Sequence, residues 1–317
     1  MKTVLITGGA GFIGSHTVDK FLAKNFKVRV IDNLSGGREE NLNHHKRNRN
    51  LEVEFIDIRR IKKKINFIKN VDYVVHFAGI GDIVPSITNP KKYISNNFNG
   101  TLTLLEVFKN INIKKFVYAA SSSCYGLANT PTSELNSIQN LYPYALSKYM
   151  GEQIALHYGK VYKINVNSIR IFNAYGTRSR TTGAYGAVFG VFLKQLLENQ
   201  PLTVVGDGKQ KRDFLYVTDV ANAFYKATIT KKNLQIWNLG YGRPQSINKL
   251  IKLLKPKAIT YIPKRPGEPE VTHANISKIK RDLNWRPKIT FESGVKKILD
   301  NIDYWKDAPL WNKRNIE

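Results

Sequence analysis

The first apolar stretch, Lys2–Thr7, is a short β-branched run that stops at glycine, as a buried strand does. Phe12–Lys24 then shows helical spacing, and Lys27–Ile31 reads as a second strand. Val71–Phe77 and Lys115–Ala120 are further apolar runs of strand length. Between them, Asn89–Asn110 has helical character, with Pro90 suited to a first turn. Pro143–Tyr162 is another long helix and Asn165–Ile171 another strand. Strand and helix alternate to about residue 173, which predicts a parallel sheet wrapped by helices on both faces. After residue 175 the rhythm changes. Gly176, Gly183, Gly186, Gly190, Gly206 and Gly208 punctuate the chain, and Pro201, Pro244, Pro256, Pro263, Pro266 and Pro269 accumulate. The expectation is a doubly wound α/β domain over 1–175 and a smaller, mixed α/β region over 176–317 packed on it.

Composition narrows the class. The chain has 317 residues, 42% apolar and 23% charged, so it can bury a sizeable core and is not disordered. No apolar run is long enough to cross a membrane, and the early glycines do not fit a signal peptide. The single cysteine, Cys124, excludes an internal disulfide and a zinc–cysteine site, and no metal ligands are expected. A reducing, cytoplasmic setting is expected. The net charge of +26 is compatible with an anionic substrate or partner. Its densest runs, Lys62–Lys64 and His44–Arg49, lack the interleaved aromatics of a nucleic-acid platform, so solvated faces account for it better.

The first strand leads straight into Gly8-Gly9-Ala10-Gly11-Phe12-Ile13-Gly14. A tight turn, close approach to a pyrophosphate and close helix–strand packing all require glycine here, and a helix N-terminus faces the anion. Asp32 ends the second strand, where a carboxylate accepts from adenosine ribose hydroxyls and repels a 2′-phosphate. This favours NAD over NADP. The competing reading is a glycine turn of another α/β protein with Asp32 as a helix cap.

Tyr144 and Lys148 stand four apart in the long helix, on one face. A free phenol is a poor base at neutral pH, but a nearby ammonium favours the phenolate. Tyr144 then exchanges a proton with a substrate hydroxyl while hydride moves to or from the cofactor. The strand Lys115–Ala120 runs into Ser121-Ser122-Ser123, hydroxyls at the carboxyl end of a sheet strand, where ligands bind. A polar turn satisfying its own backbone is the alternative.

With these residues the chain resembles the extended short-chain dehydrogenase/reductases. Within them it resembles the NAD-dependent epimerase/dehydratase family, in its UDP-glucose 4-epimerase-like branch. The resemblance covers nearly the whole length and rests on an ordered series. The series runs through Asp57-Ile58, His76-Phe77-Ala78-Gly79, Asn96-Asn97-x-Asn99-Gly100-Thr101, the serine turn and Tyr144/Lys148. It continues through Arg170-Ile171-Phe172-Asn173, Gly206-Asp207-Gly208, Arg212-Asp213-Phe214, Asp219-Val220-Ala221 and Arg265-Pro266-Gly267-Glu268. The resemblance implies a Rossmann fold, bound NAD and a homodimer pairing through two helices per subunit. It implies cofactor contacts from Gly8, Gly11, Phe12, Ile13, Gly14, Asp32, Asn33, Asp57, Ile58, Phe77, Ala78, Gly79, Asn96, Tyr144 and Lys148. It implies nucleotide-sugar contacts from Ser121, Ser122, Ser123, Asn173, Arg212, Arg265, Glu268 and Thr272, with Tyr144, Lys148 and Ser121 catalytic.

Within that family, 4,6-dehydratases carry Thr-Asp-Glu at the serine turn and uronate decarboxylases Thr-Ser-Glu. Ser121-Ser122-Ser123 offers no carboxylate, which favours 4-epimerisation of a UDP-hexose through a transient 4-keto sugar. Thr272 and the segment Gly183–Val188 leave room for an N-acetyl group, whereas Arg178 and Arg180 suit a uronate. UDP-glucuronate 4-epimerase, dehydratase or decarboxylase, and an NAD-sensing or RNA-binding protein on the same fold, remain the alternatives.

Overall fold

A computed structural model describes residues 1–179, 181, 188–264 and 268–311. Six strands build the central sheet in the first half: β1 (Thr3–Thr7), β2 (Lys27–Asp32), β3 (Leu51–Phe55), β4 (Tyr73–His76), β5 (Lys115–Ser121) and β6 (Val166–Ile171). The smaller region holds β7 (Asn173–Tyr175), β8 (Leu202–Val205), β9 (Lys211–Arg212) and β10 (Phe214–Tyr216). Then β11 (Gln235–Leu239) is followed by β12 (Gln245–Ser246) and β13 (Ile259–Ile262). The seven-stranded sheet has the order β11-β6-β5-β4-β1-β2-β3, and its pairings are parallel. This is the Rossmann-type α/β architecture.

Strand alternation divides the core. Val4, Ile6, Val28, Val30 and Val117 face one layer, with the helices Phe12–Leu22 and Val217–Ile229. Leu5, Ile31, Val74, Phe116 and Tyr118 face the other, with Gly100–Phe108 and Pro143–Val161. Both faces are covered, which is why these strands read as continuous apolar runs.

Two departures from the sequence expectation matter for the site. The chain returns to the central sheet after residue 175, because β11 pairs with β6 and the Val217–Ile229 helix packs on the first helix. Trp237 and Leu239 are fully buried there and cover what would otherwise be an open edge at β6. The sheet layers therefore draw on both sides of residue 175. The helix expected over Asn89–Asn110 is also not uniform. Asn89 caps the turn Pro90–Tyr93, a wider π-helical segment covers Ile94–Asn99, and α-helix resumes at Gly100–Phe108. The extra residue in the wide turn shifts which side chains face inward, and Asn97 becomes one of them.

The smaller region pairs β7 with β10, β8 with β13 and β9 with β12 around its own aromatic core. Phe214 and Phe291 stack at 5.3 Å between ring centroids, with Tyr175 edge-on to both. No helix among the described residues is long and apolar enough to cross a membrane.

Candidate active site

The glycine turn lies where β1 meets the first helix. Gly8 has φ +71°, and a Cβ there would fall 2.7 Å from the Ala78 nitrogen. At Gly14 a Cβ would lie 2.0 Å from the Gly8 carbonyl oxygen, so only glycine lets this helix sit so close to the strand end. Gly11 is the N-cap and brings no side chain to cap the first turn, and that turn contains no acidic residue. The first amides of the helix, around Phe12 and Ile13, are thus suited to an anion, which is the fit a dinucleotide pyrophosphate requires.

Asp32 is 6% exposed at the end of β2. Its carboxylate accepts from the Ala10 amide at 3.0 Å and the Leu34 amide at 2.8 Å. Burial pushes its pKa up, against these backbone donors. Carboxylate oxygens accept more than one bond, so ribose hydroxyls can still be received. Asn33 donates to Asp57 at 3.1 Å, and the hydrogen bonds from Arg59 hold Asp57 down to about 2. Ile58 packs against Gly100. The Phe77 ring turns into the core against Phe224, leaving its backbone and that of Ala78 against the glycine turn.

On the other side of the sheet edge, Lys148 is 8% exposed, with Nζ 4.6 Å from the Tyr118 ring centroid. Burial pulls its pKa down to about 8, while the charge of Glu152 pulls it up. Tyr144 is one turn earlier and hydrogen-bonded to Ser121. Burial raises the Tyr144 phenol, the Ser121 bond lowers it, and the nearby Asp82 charge raises it further. Ser121 also donates to Ser123 Oγ at 3.0 Å and accepts from the Ser123 amide, so this serine turn partly satisfies itself. Ser122 is half-buried beside it.

Asn97 was not singled out for a role by the sequence. Its Oδ1 accepts from the Ile80 amide at 2.8 Å, and its Nδ2 donates to Ser147 Oγ at 2.9 Å. A Cβ on Gly79 would lie 2.6 Å from Asn97 Oδ1 and 3.9 Å from Lys148 Nζ, so these three groups meet at one point. Asn96, the residue named from the sequence, instead donates to the Lys92 carbonyl of its own helix at 2.8 Å. Glu152 is the second residue without an expected role. It is 1% exposed and holds Arg170 of β6 through Nη2–Oε1 at 2.5 Å, with Ser168 donating at 2.8 Å. Arg170 in turn donates to the Tyr125 hydroxyl at 2.7 Å. The signal was an acid four residues after Lys148, on the same helical face, opposite an arginine in a sheet strand.

At the opposite end of the cleft, Asn173 Oδ1 accepts from Thr272 Oγ1 at 2.6 Å, across 99 residues of chain. Thr272 Oγ1 also accepts from the Asp213 amide. Arg212 and Glu268 are brought together as an ion pair at 2.5 Å. Asp213 and Asp219 are structural, each accepting from two or more backbone amides. Arg265, with Pro266 and Gly267, lies outside the described residues, as do Arg180 and Gly183–Ala187. Arg178 does not face the sugar end. It donates to the Asp19 carboxylate, His16 and the Asn41 carbonyl, because φ +60° at Arg178 turns the chain back toward the first helix.

A sequence profile of the NAD dependent epimerase/dehydratase family matches residues 4–240. The chain belongs to this family. NAD is therefore its cofactor, consistent with the glycine turn and Asp32. A relative from Thermodesulfobacterium geofontis, a UDP-glucuronate 4-epimerase, is 34% identical over 100% of this chain and 98% of its own. The UDP-N-acetylglucosamine 4-epimerase of Methanobrevibacter ruminantium, solved with UDP-N-acetylmuramic acid, is 32% identical with a TM-score of 0.88 over 95% of this chain and 99% of that one. The UDP-glucose 4-epimerase of Thermotoga maritima, solved with UDP-glucose, is 32% identical with a TM-score of 0.87 over 96% and 99%. Family members of similar likeness thus act on different sugars.

Proposed function

We propose that this epimerase/dehydratase-family protein interconverts UDP-hexoses at C4, N-acetylated hexoses included. The observation that carries the reading is the hydrogen bond of Tyr144 to Ser121 at the carboxyl end of β5, with buried Lys148 one helical turn on and no carboxylate in the serine turn. When bound, NAD supplies reversible uptake and return of hydride at the sugar C4. Tyr144 takes the proton of the C4 hydroxyl and later gives it back. Ser121 hydrogen-bonds the phenol and eases its ionisation. The Lys148 ammonium favours the phenolate. Asn173, Arg212 and Glu268 hold the diphosphate and uridine ribose, joined by Arg265 on its sequence motif, and Thr272 leaves room for an N-acetyl group. An arginine has five donors, so Arg212 can keep Glu268 and still fork a phosphate. Asp82, whose charge reaches Tyr144, supports a second reading in which an added acid–base group permits elimination of water.

The chain is also proposed to pair as a homodimer. An open groove of about 640 Å³, lined by Phe98, Met150, Ile154 and His157 from two helices, supports a helical pairing face. Light scattering after gel filtration is expected to give twice the chain mass.

The deciding experiment supplies UDP-glucose, UDP-galactose, UDP-N-acetylglucosamine and UDP-glucuronate separately, without added cofactor. Proton NMR and product mass are read on each. A mass-neutral C4 epimer supports the reading and names the sugar. Loss of water or carbon dioxide overturns it in favour of dehydration or decarboxylation. Tyr144→Phe is expected to lower turnover at least about 100-fold, while the folded protein keeps its NAD.

A further inference from the structure

Away from the reaction centre, the first helix presents Asp19 to two consecutive histidines in the turn that follows β2. His44 Nε2 and His45 Nε2 both lie 2.8 Å from the same Asp19 oxygen, Oδ1. The three ligand atoms fall within 4.8 Å of one another. The other carboxylate oxygen is held by Arg178, which fixes the plane of the carboxylate and aims Oδ1 at the imidazoles. His44 is 48% exposed, so an ion has an open path in from solvent.

We propose that Asp19, His44 and His45 form a divalent-metal site of the zinc class. Two imidazole nitrogens and one carboxylate oxygen are the donor set such ions take, and hard, oxygen-preferring cations do not. Ligands of one tetrahedral ion, at about 2.0–2.2 Å from it, lie roughly 3.3–3.5 Å apart. The observed Nε2–Oδ1 distances therefore need to open by only about half an ångström, with His44 exposed and His45 and Asp19 half-buried. Water completes the shell. The ion would bolt the first helix to the segment that follows Asp32. That segment carries Ser35, Gly36, Gly37, Arg38 and Asn41 along the wall of a 180 Å³ pocket closed by Tyr304. The site is distinct from the NAD and sugar chemistry and does not rest on the proposed reaction.

The test uses the full chain with its NAD, treated with chelator and then titrated with Zn²⁺ or Co²⁺. About one ion per chain is expected, with tetrahedral Co²⁺ absorption bands and a melting temperature raised by a few degrees. The double variant His44→Ala, His45→Ala is expected to weaken binding at least tenfold while keeping its circular dichroism. Glu39→Gln, an exposed acid in the same turn, is expected to bind as the parent does. No saturable binding, or binding that survives loss of both histidines, overturns the proposal. Equal loss in Glu39→Gln also overturns it, by showing diffuse charge attraction.

Discussion

The two ends of the cleft are built differently. The nucleotide end is mostly backbone: a left-handed glycine, a Cβ-free crossing at Gly14 and the uncapped amides of one helix. The other cluster, the sugar end proposed to hold the nucleotide sugar, is mostly side chains drawn from remote segments. Asn173 meets Thr272, and Arg212 meets Glu268 across 56 residues. A backbone site holds what every member of the family binds, since a phosphate needs only amides and space. A side-chain site can change one residue at a time without moving the chain.

Four substitutions and one neutral control probe the division. The largest effect is expected on the helix that carries Tyr144 and Lys148. Glu152→Gln leaves Arg170 charged and uncompensated in the core, costing roughly 3–5 kcal/mol in urea unfolding. A loss under about 1 kcal/mol would mean that Tyr125 and Ser168 suffice to hold the helix on β6. Next, Gly14→Ala drives a Cβ against the Gly8 carbonyl and is expected to cost about 3 kcal/mol and the bound NAD, read from the dinucleotide released on denaturation. Gly36→Ala, with nothing within 4 Å of a new Cβ, is its neutral counterpart.

Lys148→Met is expected to sharpen the comparison by separating function from stability. Burial lowers the lysine from 10.5 to about 8, so the unfolded chain binds the extra proton across that window. Stability therefore rises with pH from about 8 toward 10, and below pH 8 the folded protein bears the whole cost, roughly 3 kcal/mol. The variant should lose turnover, unfold at higher urea at neutral pH, and lack that rise with pH. The smallest effect falls at the sugar end. Thr272→Val removes the donor to Asn173 and should raise KM for the nucleotide sugar about fivefold, near 1 kcal/mol, with NAD content unchanged. Equal loss of NAD would show that the two ends are not separable.

Much of the nucleotide end was legible in the chain because its parts are contiguous. Strand, glycine turn and helix follow one another within residues 3–22, and local chemistry permits little else. Tyr144 and Lys148 were legible for the same reason, being one helical turn apart. Asn96 and Asn97 show the limit. They are adjacent, and spacing gives no reason to choose between them until the wide π-turn brings Asn97 inward. Arg178 shows it again, since at a single left-handed residue its side chain turns to Asp19, His16 and Asn41 of the first domain half.

By itself, then, the sequence determined the alternating architecture and the cofactor class, and set Tyr144 and Lys148 on one helical face, because each is written in residues within a turn or two of one another. Only the tertiary structure decided that β11 closes the sheet edge and that Glu152 locks Arg170. It alone brought Thr272 to Asn173 and set two histidines over one carboxylate. Those contacts join residues 18 to 99 apart in the chain. Their geometry follows from how layers pack, and no local pattern along the chain encodes it.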